Sequence, residues 1–348
     1  MSDATVHAEA DVHAETEIPA TVYVEPEDTA KGARLSHFPV TFFATIMGLA
    51  GLSLAWLRAA PVLGAPEMVG EVLFWAALVL YAAVFVAYLL KVALFPAAVR
   101  HELHHPVRLA FVPTATIALL LLATAGQDIA RGLASGLWWV GAVGQLVLTL
   151  YVLSAWISRP TFGMQHVTPA WFIPVVGMVV VPLAGVTFGP LEVSWFFFSV
   201  GLVFWFALLP MVLTRLFVHE NPVPGQLLPT LAVLIAPPAV AFLSYARLTG
   251  EGLDIIARVL FYTATFFALL FFPQVGRLPR LPFFLSWWAY AFPLAGLSVA
   301  TTVMSREIGG AFFMVSAWVV LVAVTALVAL LGVRTASAIV RGRICIPE

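Results

Sequence analysis

LAVLIAPPAVAFLSYA, residues 231–246, sets two adjacent prolines inside an apolar run of membrane-spanning length. Proline removes a backbone hydrogen bond and bends a helix. In lipid, the backbone groups it frees are tolerated only where protein or a wet cavity covers them. Such a stretch predicts a helix on the inside of a bundle. Outward in both directions, the pattern recurs in every second apolar run. Pro113 lies inside the third run, Pro174 with Pro182 in the fifth, Pro237 with Pro238 in the seventh and Pro293 in the ninth. In even-numbered runs proline falls only near an end, as Pro96, Pro210 and Pro273. The alternation predicts inner, kinked helices around a path, wrapped by outer, straight ones.

Composition fixes the class. Of 348 residues, 62% are hydrophobic and 10% charged, whereas soluble domains carry about 25% charge. Long runs apolar on every face predict an all-α integral membrane protein, and the absence of strict alternation argues against a β-barrel. Ten spans are read: Phe38–Ala59, Val69–Phe95, Ala110–Ala125, Leu133–Ile157, Trp171–Val186, Trp195–Phe217, Leu228–Ala246, Leu253–Val275, Phe283–Val303 and Ala311–Val333. Short links after each odd span predict five antiparallel hairpins. The first span has no interior proline, and Gly48 and Gly51 supply its flexibility and close packing.

Charge divides the chain into three parts. Residues 1–37 hold eight acidic residues against Lys31 and Arg34, lack an apolar signal core and read as a disordered cytoplasmic tail. The membrane domain covers 38–335, and 336–348 is a short basic C-terminus. Arginine and lysine count 12 on the side of both termini and 5 on the other, which places both termini in the cytoplasm. The reading is a multi-pass protein of a bacterial inner membrane.

Chemistry is sparse. No span centre carries Asp, Glu, Lys or Arg, which argues against a proton pump with a buried carboxylate relay. Lys91 and Arg258 lie near span ends, where they can snorkel to headgroups. His101, His104 and His105 cluster before the third span without a matching carboxylate or cysteine array, so no metal site is read. Cys345 is the sole cysteine. The chain lacks a phosphate loop, an HExxH helix and a GxSxG elbow, and no enzyme, redox cofactor or nucleic acid partner is expected. What remains is a narrow path of small, hydroxyl and aromatic residues. Its candidate lining is Thr41, Ala44, Thr45, Met47 and Gly48 on span one, Thr114 and Thr116 on span three, and Ser244 on span seven. Span nine adds Phe292, Ser298, Thr301 and Thr302.

Several strings carry a family resemblance. FPVTFFATIMGLAGLSLAW (38–56), HPVR (105–108), GQLVLTL (144–150), IAPPAVAFLSY (235–245) and SWWAYAFP (286–293) follow one another in order. The series resembles the TehA-like tellurite-resistance and dicarboxylate transporter family, which includes the slow anion channels of plant guard cells. The resemblance implies ten helices in five hairpins with quasi-five-fold symmetry, odd helices lining a central pore, and homotrimers with one pore per protomer. It implies that Phe292 gates the pore, faced by Ala44 and Met47, and that Pro174 and Pro237 are family kinks; some relatives carry glycine where Ala44 stands. The expected function is an anion channel for small inorganic anions. The alternatives are a carrier of dicarboxylates, sulfite or tellurium oxyanions, and a membrane scaffold whose pore is vestigial.

Overall fold

The computed structural model describes residues 32–160, 162–218, 223–250, 252–273, 276 and 282–345. Of the acidic tail, residues 1–31 lie outside the described residues, and Gly32–Ser36 forms a short helix. Among the described residues there is no strand. The ten membrane elements are α1 Val40–Leu63, α2 Glu67–Leu94, α3 Arg108–Gly126, α4 Arg131–Ser158 and α5 Pro169–Phe188. They continue with α6 Leu191–Val218, α7 Gly225–Thr249, α8 Ile255–Phe271, α9 Ala291–Ile308 and α10 Gly310–Val340. Eight of them are long and apolar enough to cross a membrane, α8 and α9 being the exceptions. α8 is shorter, and α9 ends in a polar segment that includes Ser305, Arg306 and Glu307.

The odd helices form a closed inner ring. α1 packs on α3, α3 on α5, α5 on α7, α7 on α9, and α9 returns to α1. Each even helix packs on its own odd partner and on the next odd helix, α10 closing the circle against α9 and α1. In α1, α3, α5 and α7, 78–89% of the most apolar membrane-length window is buried, against 22–33% in α2, α4, α6 and α10. α8 buries one stripe only, Ala257, Leu260, Phe261, Ala264 and Phe267, the spacing of a helix with one face on protein. The outward faces of the even helices carry large apolar residues such as Val79, Val143, Val203 and Val319, which suits contact with lipid chains.

The hairpin links are tighter than the sequence suggests, because the helices run further. They span 64–66, 127–130, 189–190, 250–254 and Gly309 alone. Gly64 and Gly250 end α1 and α7 in the left-handed region, at φ 71° and 63°. Their N–H groups bond back to Ala60 and Ala246, a closure that glycine makes without a Cβ penalty.

A second five-fold feature appears at the other end. Every odd helix begins with a 3-10 stretch: Val40–Phe42, Arg108–Phe111, Pro169–Trp171, Gly225–Ile235 and, leading into α9, Leu285–Tyr290. Pro113, Pro174, Pro237 and Pro293 stand where that stretch passes into α-helix or within its first turn. A missing N–H costs least there, since first-turn N–H groups have no helical partner. Pro182 alone follows an interruption inside an inner helix, at Val181. Two prolines lie deeper than the sequence suggests: Pro61 is inside the last turns of α1, and Pro210 is inside α6.

Lys91 does not snorkel. Its Nζ lies 2.8 Å from Glu102 Oε2, with both side chains almost fully buried. Glu102 comes from Pro96–His104, a short helix that turns back under α2. Lys91 also donates to Phe38 O at 2.8 Å, and Glu102 Oε1 accepts from Val40 N–H at 2.9 Å. The pair therefore pins the start of α1.

Candidate functional site

Inside the ring, near the 3-10 ends of the odd helices, lies a cavity of about 40 Å³. That is room for about three water molecules. All five inner helical segments of the bundle reach it. α1 contributes Thr41, Ala44 and Met47; α3 contributes Phe111, Thr114 and Ile117. α5 adds Ile173 and Val176, and α7 adds Val233 and Ala236. The ninth segment closes it with Ser286, Trp288, Phe292 and Pro293, among others. The i, i+3 spacing on α1 and α3 is that of a single helix face.

Among the described residues, no charged side chain and no histidine lines the cavity. Its hydroxyls are mostly engaged: Thr114 donates to Phe111 O at 2.6 Å and Ser286 to Gln226 O at 2.6 Å. The N-terminal turns of five parallel helices surround this space, and such turns favour negative charge.

Phe292 sits where α1 and α9 meet. Its Cδ2 lies 3.7 Å from where a Cβ on Gly51 would stand. The tighter neighbour of that position is Ala295 Cβ, at 3.0 Å, so Gly51 admits the close approach of α9 rather than the phenyl ring itself. Beside it, Trp288 is held by its indole N–H, which donates to Thr335 Oγ1 of α10 at 3.0 Å.

Of the residues expected on the lining, Thr41, Ala44, Met47, Thr114 and Phe292 are on this cavity, as is the expected kink Pro293. Seven others lie elsewhere. Ser244 donates to Val179 O of α5, and Thr301 and Thr302 donate to Leu297 O and Ser298 O of their own helix. The Thr45 hydroxyl donates to Phe42 O in its own helix. Gly48 faces Ala291 and Trp288 of the ninth segment. Thr116 donates to Pro113 O and to Gln145 Oε1 of α4. Ser298 is fully buried, and its Oγ has no partner among the described residues. Pro113, Pro174 and Pro237 flank the lining without joining it.

The strings quoted from the sequence acquire structural roles. In GQLVLTL, Gln145 Nε2 and Thr149 Oγ1 both donate to Pro174 O, at 2.7 and 2.8 Å. They knit α3, α4 and α5 through one buried knot. In HPVR, His105 Nδ1 accepts from the N–H groups of Val107 and Arg108 and so turns the chain into α3. No group of three or more metal-binding side chains occurs among the described residues.

Similarity to known proteins agrees with this architecture. A family model described as SLAC1, voltage-dependent anion channel, matches residues 37–336. The chain belongs to the SLAC1 family. It is 30% identical over 294 residues to the S-type anion channel SLAH3 of Arabidopsis thaliana, covering 82% of this chain and 46% of that protein. It is 29% identical over 283 residues to SLAH2 of the same plant, covering 79% of this chain and 54% of the relative. The chain thus spans about half the length of these plant relatives. A tellurite resistance protein TehA homolog of Haemophilus influenzae is 27% identical, with 76% of this chain and 80% of that one covered. As a SLAC1-family chain this is a multi-pass membrane protein, and the family expected from the sequence is the one found.

The lining residues that the sequence did not single out are apolar except for Ser286, and include Phe111, Ile117, Ile173, Val176 and Val233. Their signal was available as the i, i+3 continuation of Thr114 and of Val233–Ala236, but apolar residues in an apolar helix do not announce a face.

Proposed function

We propose that this chain is a passive channel for small inorganic anions, with a path along the axis of the inner ring and Phe292 as its gate. The observation that carries the reading is the closed ring of five parallel helices around an uncharged cavity, with Phe292 on its wall. The cavity of about 40 Å³ is small and its described lining is almost wholly apolar. A phenyl ring offers neither hydration nor substitute ligands. Conduction then requires the ring to rotate aside. Anion preference is supported by the five helix N-termini, by the lack of a carboxylate on the wall among the described residues, and by relatives that carry the name S-type anion channel.

The test is nitrate and chloride flux in proteoliposomes. Phe292→Ala should raise flux at least about tenfold, equivalent to removing a barrier of about 1.4 kcal/mol. Unchanged flux in a folded Phe292→Ala protein would end the gate assignment. The names TehA homolog and, for a Methanocaldococcus jannaschii relative 26% identical over 299 residues, uncharacterized transporter favour one second reading, a carrier. A carrier saturates and shows counterflow of labelled substrate; a channel shows neither at the same concentrations. We further propose homotrimers in a bacterial inner membrane with both termini cytoplasmic.

A further inference from the structure

At the far end of the ring from the Phe292 cavity, the inner helices end on polar residues. Met47 of α1, Ile117 of α3, Val176 of α5 and Ala236 of α7 all line that cavity. About three turns further along, within about 20° of the same face by helical geometry, α1 places Arg58 and α7 places Arg247; Asp128 follows the end of α3 and Thr187 stands in the last turn of α5. Arg306 follows Phe292 on α9 by about four turns.

These groups converge. Arg247 Nη2 donates to Thr187 Oγ1 at 3.0 Å and to Gln127 Oε1 at 3.4 Å. Arg58 lies within electrostatic range of Arg247, Asp128 and Arg306. Arg58 and Arg306 share the wall of an open cavity of about 690 Å³ with Thr302 and Ser305.

The charges do not cancel. Arg306 is taken up by Glu307, at 2.7 and 2.9 Å. Arg247 is bonded to neutral groups, and Asp128 is exposed. Arg58 is half-buried, and among the described residues it has neither a hydrogen bond nor an ion pair. A partly desolvated guanidinium flanked by two other arginines is an unfavourable arrangement unless a negative group joins it. The helix C-termini here add partial negative charge that would repel an anion on the axis. Arg58 opposes that field from the wall of the cavity that α1 shares with α9 and α10.

We propose that Arg58, backed by Arg247 and Arg306, binds a small monovalent anion at the C-terminal mouth of the inner ring. A planar oxyanion such as nitrate matches the fork of the guanidinium. Binding stands on the geometry alone; its part in permeation rests on the channel reading above.

The experiment uses the full chain in detergent and titrates sodium nitrate against sodium gluconate at constant ionic strength. The thermal midpoint of the wild type should rise with nitrate. A unit charge about 4 Å away in water is worth about 1 kcal/mol, so Arg58→Gln should need about fivefold more nitrate and Arg58→Glu about thirtyfold more. Arg58→Lys should fall between the wild type and Arg58→Gln, since lysine keeps the charge and loses the planar fork. Arg58→Gln and Arg58→Glu curves that overlay the wild type, or a wild type that nitrate does not shift, would overturn the site. Flux then separates the two proposals. In Phe292→Ala proteoliposomes, adding Arg58→Gln should lower nitrate flux about fivefold at low concentration and converge at saturation. A Phe292→Ala protein that passes no anion while nitrate still shifts the wild-type midpoint would sink the channel and keep the site.

Discussion

Gly48 has no side chain because two side chains of the ninth segment already fill the space. A Cβ there would stand 2.7 Å from Ala291 Cβ and 2.8 Å from Trp288 Cε3. Alanine cannot retreat, and Trp288 is tied through its indole to Thr335. Two effects compete in Gly48→Ala. Alanine gains about 0.5–1 kcal/mol of helix preference over glycine, while overpacking of this severity costs about 1–3 kcal/mol. Overpacking wins, so Gly48→Ala should lower stability by about 1–2 kcal/mol, read as a lower thermal midpoint in detergent. A midpoint at or above wild type would contradict the contact. The same residue shows what sequence can and cannot reveal. A small residue on α1 was legible as a sign of close packing. Which neighbour it admits was not, because helical periodicity fixes angles between residues of one helix and leaves their reference direction to the fold. Thr116 was misplaced on the lining for the same reason: its hydroxyl serves Gln145 of α4, and that partner appears only once α3 and α4 are packed.

Each inner element enters the ring through a 3-10 stretch, and the entry of α1 is fixed by the Lys91–Glu102 pair. Removing one partner of a buried pair leaves an uncompensated charge and costs about 3–5 kcal/mol. Lys91→Met should therefore destabilise strongly, since it strands Glu102 and removes the donor to Phe38 O. Combining it with Glu102→Gln should recover part of the loss, because the amide oxygen still accepts from Val40 N–H while the stranded charge is gone. Thermal unfolding of the two variants side by side decides it; a double variant less stable than Lys91→Met would contradict the charge argument. At this scale the sequence is most informative about alternation. Proline near the start of α3, α5 and α7 marks them as inner helices, but Pro210 inside α6 and the lack of an early proline in α1 make the pattern less sharp than burial. The 3-10 entries were not legible, since 3-10 and α-helix share residue preferences. Lys91 was read as a surface anchor because nothing local to α2 shows that the helix after it returns a glutamate.

Ring closure sets a topology for the whole molecule: the five odd helices are parallel, so all 3-10 entries lie on one side and all odd-to-even turns on the other. Gly32–Ser36 and the end of α10 share the entry side, where Gly342 lies close to Arg34. Cys345, the only cysteine, is half-buried there and can report the orientation directly. Burial pushes its thiol above the ordinary value, with Lys91 and Arg34 pulling weakly the other way. The thiolate is the reactive form. A raised value means less thiolate at neutral pH, so labelling by a membrane-impermeant maleimide should be slow at pH 7 and accelerate as pH rises beyond the ordinary thiol value of about 8.5. With both termini in the cytoplasm, Cys345 should react in inside-out vesicles and stay unlabelled in intact spheroplasts. The complementary probe is Gly252→Cys in a Cys345→Ser chain. Gly252 lies in the α7–α8 turn, where an added Cβ meets only Glu307, at 3.9 Å. It should show the opposite pattern, labelled in spheroplasts and protected in inside-out vesicles. Labelling of both cysteines from one side would contradict the parallel ring, and the inverted pair of results would place Arg58 and its neighbours at the cytoplasmic mouth instead of the outer one.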